Sequence, residues 1–472
     1  MNVKVLNFIK NMSYTISSNL IALVVSTLVV LIVPKLIGIE EYGYWQLYIF
    51  YSSYVGFLHF GWNDGIYLRF GGEDYENLDK KLFFSQFIEL LIFQIFIGLF
   101  VWIFAIIFTD DVNRSFILQM VAIAMVLLNT RLMFLYILQA TNRIKEYARI
   151  TMIDRIVYIV LIILFLFLGV RDFKLLVITD LVGKFASLVL AIYSCKEIAI
   201  NKLSDFYFTF KEIVTNTSVG IKLMFANIAS MLIIGIVRLG IERTWDVATF
   251  GKVSLTLSIS NMMMIFINAI GIIMFPILRK TNQKNLANIY TSIRDFLMIF
   301  LLGVLVFYYP LKSAMGFWLP QYAESLLYMS LVFPMFVFEG KMALLINTYL
   351  KTLRRENVML RINLSAMFLS LLLTFISTQI FQNLDFAIVN IVVLLALRSV
   401  LAEAYLSKEL NIKVTSDIFL ELSLTIVFIL SGWFINSWST TLIYGAAFLI
   451  YLLIKRKDIV ETTKNLKQIV KA

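Results

Sequence analysis

The chain has 472 residues, 60% hydrophobic and only 15% charged, with a mean hydropathy of +0.87 and a formal net charge of +11. Soluble domains are about half apolar and about a quarter charged, so a soluble core is excluded and an all-α polytopic membrane protein is the class that fits. One cysteine, one histidine and five prolines exclude a disulfide framework, a Cys/His metal site and a fibrous or disordered chain.

The first twelve residues, MNVKVLNFIKNM, are weakly basic and lead into an apolar run that passes Leu31 without an Ala-x-Ala-like cleavage site. They predict an uncleaved first helix. A helix needs about 20 residues to cross roughly 30 Å of hydrocarbon. On that scale the chain predicts fourteen spans: 15–36, 42–62, 83–108, 115–139, 151–169, 175–195, 218–240, 246–276, 295–315, 325–350, 362–381, 386–406, 416–436 and 438–455. Runs such as LIILFLFLGV lack the period-two alternation of a membrane barrel.

VPKLIGIEEYGYWQLYIF, from Val33 to Phe50, predicts a tight outer turn between spans 1 and 2. Its aromatics Tyr42, Tyr44, Trp45 and Tyr48 read as an interfacial belt, with sugar stacking as the alternative. His59, in span 2, reads as a neutral packed ring ahead of a proton relay, and Cys195 as a small apolar residue at a helix end. Residues 196–217 form the longest mixed-polarity stretch and predict a cytoplasmic connector. From Gln283, QKNLANIYTSIRDF suggests an interfacial amphipathic helix or an ordinary loop, and the basic tail KRKDIVETTKNLKQIVKA a short surface helix.

With the N-terminus placed inside, 27 of the 41 Lys and Arg fall in inner segments, 6 in outer ones and 8 in or near the spans. This is the positive-inside bias, and it puts both termini in the cytoplasm. It also assigns the net charge to membrane topology, with no nucleic-acid partner.

The outer turn recurs. Tyr42-Gly43 with Leu47 aligns on Phe250-Gly251 with Leu255 at an offset of 208, which also sets Asn19 on Asn227. On the inner side LQATNRIKEYARI, from Leu138, parallels LKTLRRENVMLRI, from Leu350, pairing Arg143 with Arg355 and Arg149 with Arg361. Two parallel six-helix lobes follow, related by a pseudo-two-fold along the membrane normal. The predicted organisation is an N-terminal lobe over 1–195, the connector over 196–217, a C-terminal lobe over 218–406, and spans 13–14 with the tail over 407–472.

The stretches VPKLIGIEEYGYWQL, GWNDGIYLRF and LQATNRIKEYARI resemble those of polysaccharide-export flippases. These are the Wzx-type O-antigen and capsule transporters of the multidrug/oligosaccharidyl-lipid/polysaccharide superfamily. The resemblance runs from about residue 5 to 455. It implies alternating access by two lobes around a cationic cavity, with an undecaprenyl-pyrophosphate-linked oligosaccharide as cargo. It also implies a bacterial cytoplasmic (inner) membrane, a monomer, and contact with other polysaccharide-assembly membrane proteins. No cofactor, metal or catalytic residue is implied.

Charge in hydrocarbon costs about 2.5–3.5 kcal/mol per Arg, Lys or Asp at a helix centre, so ionisable residues in spans should face protein or water. Asp180 and Lys184 stand one turn apart and read as a pair. Asp154, Arg155, Lys222 and Glu403 lie near inner ends and Lys252 near an outer one, where snorkelling suffices. Glu339 and Lys341, two residues apart, point to different sides of their helix.

Arg131, Arg238, Lys341 and Arg398 remain as candidate cavity cations, because a pyrophosphate is the ligand that would use them. The competing reading is inter-helix salt bridging to Glu339, Asp154 or Glu403. Mostly basic deep charge favours an anionic cargo over the alternative of a cation-coupled multidrug exporter. Short outer loops argue against a membrane enzyme of lipid-linked sugar metabolism.

Overall fold

The computed structural model describes residues 3–280 and 286–460, which hold nineteen helices and no strand. The first nine are α1 Val3–Leu36, α2 Ile39–Ser52, α3 Trp62–Arg69, α4 Lys80–Phe108, α5 Val112–Ala140, α6 Ile144–Phe167, α7 Phe173–Ser194, the single turn α8 Lys196–Ala199, and α9 Phe210–Thr244. There follow α10 Val247–Lys280, α11 Leu286–Val304, α12 Tyr308–Trp318, α13 Met329–Val332, α14 Met335–Lys341 and α15 Asn347–Thr352. The last four are α16 Glu356–Phe375, α17 Leu384–Glu409, α18 Thr415–Leu430 and α19 Ser439–Ile454.

Every predicted span coincides with one of these helices or with a run of them. Eleven segments among the described residues are long and apolar enough to cross a membrane. The chain is thus an all-α polytopic membrane protein, as bilayer physics demands of a sequence whose backbone must bond to itself. The helix expected from Gln283 begins outside the described residues and from Leu286 onward is part of α11. The tail residues 461–472, including Lys464, Lys467 and Lys471, lie outside them too, as does Lys284.

Contacts gather the chain into two compact units, Met1–Ile228 and Ala229–Ala472. The division falls inside α9, which already begins at Phe210, within the stretch predicted as connector.

In the first unit the core forms around Ile66, Phe83, Phe87, Met133, Phe134 and Leu138, from α3, α4 and α5. The opposite face of α4 exposes Phe96, Phe100 and Phe108, as a lipid-facing stripe would. The outer-turn aromatics behave otherwise. Tyr42, Tyr44, Trp45 and Tyr48 are all buried, Tyr44 stacks on Phe173 at 5.1 Å, and Glu41 accepts the Phe173 N–H at 2.7 Å. Tyr44 and Tyr48 bind α2 to α7 and all four are buried inside the unit, so the interfacial-belt reading does not hold for them.

Span 2 is not one helix. Between α2 and α3 the chain runs through a 3₁₀ turn, Val55–Phe57, and two left-handed residues, Phe60 (φ 53°) and Gly61 (φ 83°). Carbonyls freed by this break are met by buried amides: Asn129 donates to the Val55 oxygen at 3.0 Å and Gln94 to the Leu58 oxygen at 3.1 Å. Irregular backbone survives at membrane depth only when protein covers it in this way.

The second unit builds its core from Ile233, Val237, Met335, Phe338, Ile391 and Leu394. Its segment from Ser325 to Thr352 is nearly wholly buried. The predicted inner-loop repeat appears in backbone geometry. Asn142 (φ 59°) and Arg354 (φ 53°) take the same left-handed turn at the repeat offset. The next residues close it alike, Arg143 N–H on the Leu138 carbonyl at 2.8 Å and Arg355 N–H on that of Leu350 at 2.7 Å. Such six-to-one closures satisfy the last carbonyls of α5 and α15. One helix further on, Asp172 caps α7 and Asn383 caps α17 with their side chains.

Candidate functional site

Buried charge concentrates in two networks, one per unit. In the first, Arg131 on α5 donates to Asp154 on α6 at 2.6 Å and to Ser187 on α7 at 2.9 Å. The Ser187 hydroxyl donates in turn to the Ile150 carbonyl at 2.8 Å. On α7, Lys184 pairs with Asp180, whose Oδ2 also accepts the Tyr48 hydroxyl at 2.6 Å. Gly183 allows this approach, since a Cβ there would lie 2.8 Å from the Asp154 carbonyl. Two cations and two carboxylates balance, and Arg155 beside them is exposed.

The second network is larger. Arg294 on α11 contacts Glu403 on α17 at 2.6 Å, Glu421 on α18 at 2.5 Å and Asp417 on α18 at 3.3 Å. Lys341 on α14 bridges the same two glutamates, reaching Glu421 at 2.6 Å and pairing with Glu403. Lys455, just beyond α19, joins Asp295 at 3.0 Å to Asp417 at 2.9 Å, and Tyr290 donates to Glu403 at 3.3 Å. Four helices, α11, α14, α17 and α18, and the end of α19 are thereby stitched by charge. Its members Arg294, Glu403 and Glu421 are at most 2% exposed.

The remaining candidate cations are also engaged. Arg398 on α17 donates to Glu339 on α14 at 2.9 Å and to the Asn363 side chain on α16 at 2.9 Å. Glu339 and Lys341 do serve different partners. Arg238 on α9 donates to Ser254 on α10 at 3.0 Å and lies 5.3 Å from the Phe250 ring centroid.

Arg131, Lys341 and Arg398 therefore each have a carboxylate, and none of these partners lies within the same helix. The expectation that they are lone cations fails because helix packing brings acids to them from 23, 80 and 59 positions away, respectively. The partners are those of the salt-bridge reading, with Glu421 added. Sequence reasoning passed over Arg294, Asp295, Asp417, Glu421 and Lys455. Asp417 and Glu421, one turn apart in apolar α18, carried a readable signal.

Chemically, these arrangements hold helices in register and can release a cation only by trading its carboxylate for another anion. Breaking a buried pair by removing one partner costs about 3–5 kcal/mol.

The class that the helices define is an all-α membrane protein with the fold of the MOP superfamily. A MATE multidrug resistance transporter of that superfamily, inward-facing, matches with a TM-score of 0.64 at 10% identity, covering 83% of this chain and 98% of that one. The lipid II flippase MurJ, in an inward closed conformation, matches with a TM-score of 0.60 at 11% identity, covering 95% of this chain and 99% of its own. A MATE in complex with MaL6 gives 0.57 at 10% identity, with 85% and 96% covered. At such identities the likeness is one of fold. No family model matches the sequence, and no curated protein does.

Proposed function

We propose that the protein flips an undecaprenyl-pyrophosphate-linked oligosaccharide, such as an O-antigen or capsule repeat unit, from the inner to the outer leaflet of a bacterial cytoplasmic membrane. The observation that carries this reading is the extent of the shared fold. MurJ, a flippase for lipid II, matches over 95% of this chain, whereas the MATE structures above cover 83% and 85%. The polysaccharide-export motifs of the sequence point to the same kind of cargo. On this reading transport is by alternating access, with both termini cytoplasmic as the charge count implies.

Arg131 and Arg398 are the cations we assign to the diphosphate. Each has a partner that keeps some exposure, 11% for the Asp154 side chain and 21% for that of Glu339. A phosphate oxygen could therefore replace the carboxylate and retain a charge-assisted bond. Arg238 keeps a neutral hydroxyl as one partner and stays in this set, whereas Lys341 belongs to the sealed network.

A second reading, a cation-coupled multidrug exporter, is favoured by the TM-score of 0.64 to a MATE transporter. Reconstitution separates the two. Vesicles holding the protein are expected to flip a fluorescent undecaprenyl-pyrophosphate oligosaccharide faster than protein-free vesicles and to leave a cationic dye untransported. Dye transport without lipid flipping selects the exporter.

A further inference from the structure

The chain's one histidine stands in the break of span 2. His59 is 3% exposed, its Nδ1 accepts the Gly61 N–H at 3.1 Å, and its Nε2 lies 3.6 Å from Asp64 Oδ2. A nitrogen that accepts carries no proton, so the neutral ring holds its proton on Nε2, toward the carboxylate. Asp64 is 5% exposed, and among the described residues the basic side chain within 4 Å of its carboxylate is this neutral ring. The other two buried aspartates of the unit, Asp154 and Asp180, have Arg131 and Lys184.

Among the described residues, what packs on α3 supplies no cation within 4 Å of Asp64. From α5 comes the Tyr136 phenol, and from α4 the Gln86 amide that binds Trp62. From α9 come the Asn216 amide and the bare backbone of Gly220. Arg69, at the far end of α3, is committed to Glu212 at 2.8 Å and to Asn216 at 2.6 Å.

The same place brings the backbones of α3 and α9 close together. A Cβ on Gly220 would lie 2.0 Å from the Gly61 carbonyl oxygen and 2.9 Å from the Asp64 Cβ. A Cβ on Gly65 would lie 1.9 Å from the Asn216 carbonyl oxygen. Backbone rests on backbone, with an acid sealed beside the seam.

We propose that Asp64, oriented by His59, is a proton-binding site that opens and closes the α3–α9 crossing, and that the proton is the ion coupled to transport. The last clause alone rests on the transporter reading above. A hydronium ion breaks one O–H bond and leaves as water, and its proton forms an O–H bond on a carboxylate oxygen of Asp64. No covalent bond within the protein breaks, and His59 keeps its hydrogen bond from Gly61. The neutral acid lies dry against the α9 backbone and the crossing closes. Loss of the proton leaves an anion that needs water, and α9 lifts away from α3. Sodium is the poorer ligand, because a hard cation takes oxygen donors and here meets an N–H.

Hydrogen exchange on the full chain in lipid nanodiscs tests this, with rates corrected for their intrinsic pH dependence. Segments 59–69 and 212–222 are expected to be protected at acid pH and to lose protection as pH rises, by up to about tenfold per pH unit for one coupled proton. Asp64→Asn, neutral at every pH, should stay protected throughout, and Asp64→Ser should do the same if the Asn variant does not fold. Wild-type protection that ignores pH overturns the proposal, as does an unchanged pH dependence in either variant. Protection restored at alkaline pH by exchanging potassium for sodium overturns the choice of proton. The readout involves no cargo, so failure of the flipping assay leaves the proton site standing and removes only its coupling to transport.

Discussion

Arg294 on α11 and Glu421 on α18 meet at 2.5 Å with their side chains 1% and 3% exposed, and the same guanidinium serves Glu403 on α17 at 2.6 Å. One cation thus holds three helices together. In Arg294→Ala those glutamates keep Lys341 alone, and stability is expected to fall by about 3–5 kcal/mol. Arg294→Lys keeps the charge without the fork and should lose less. Thermal unfolding in detergent ranks the two, and an alanine variant as stable as wild type would show the network to be idle.

The pair of Arg131 with Asp154 is open to a coupling measurement. Each single change, Arg131→Gln or Asp154→Asn, leaves one charge uncompensated and should cost roughly 3 kcal/mol. The double variant should recover most of that loss, giving a large interaction energy in a double-mutant cycle. If Arg131 also receives a diphosphate, the double variant folds and still fails to flip lipid-linked oligosaccharide. Normal flipping in that variant removes Arg131 from the cargo site.

Gly65→Ala places a methyl group 1.9 Å from the Asn216 carbonyl oxygen, where backbone has to yield. Overpacking of this kind costs about 1–3 kcal/mol. It should also raise hydrogen exchange in 212–222 at every pH. Gly56→Ala is the matched control, since nothing lies within 4 Å of its Cβ position and its backbone is not left-handed. It should stay within about 0.5 kcal/mol of wild type.

Arg354 sits at φ 53° in the turn that mirrors Asn142. Glycine enters this region freely, so Arg354→Gly is expected to raise stability by up to about 1 kcal/mol. A β-branched residue at either position should cost about 1–2 kcal/mol. Similar losses for Asn142→Val and Arg354→Val, read from melting temperatures, would bear out the repeat at the level of energetics.

How much of this was legible beforehand follows from where the information resides. Span positions are written in local hydropathy, so eleven of the predicted stretches meet helices long and apolar enough to cross a membrane among the described residues. The repeat was legible as LQATNRIKEYARI against LKTLRRENVMLRI, and its left-handed turn then shows in the backbone. The break in span 2 was not, because His59-Phe60-Gly61 lies in apolar sequence and two backbone angles carry the whole change. The ion pairs were illegible for another reason. Arg294 and Glu421 are 127 positions apart, and only helix packing decides that they share a face. The burial of Tyr44 and Tyr48 depends in the same way on α2 packing against α7.

The order in which ribosomes make the second network has its own consequence. Once α17 is complete, Arg294 and Lys341 stand against Asp295 and Glu403, and charge is even. Addition of α18 brings Asp417 and Glu421, which leaves two acids in excess until Lys455 arrives at the end of α19. A chain cut short after α18 is therefore worse off than one cut before it, and quality control should clear the longer fragment faster.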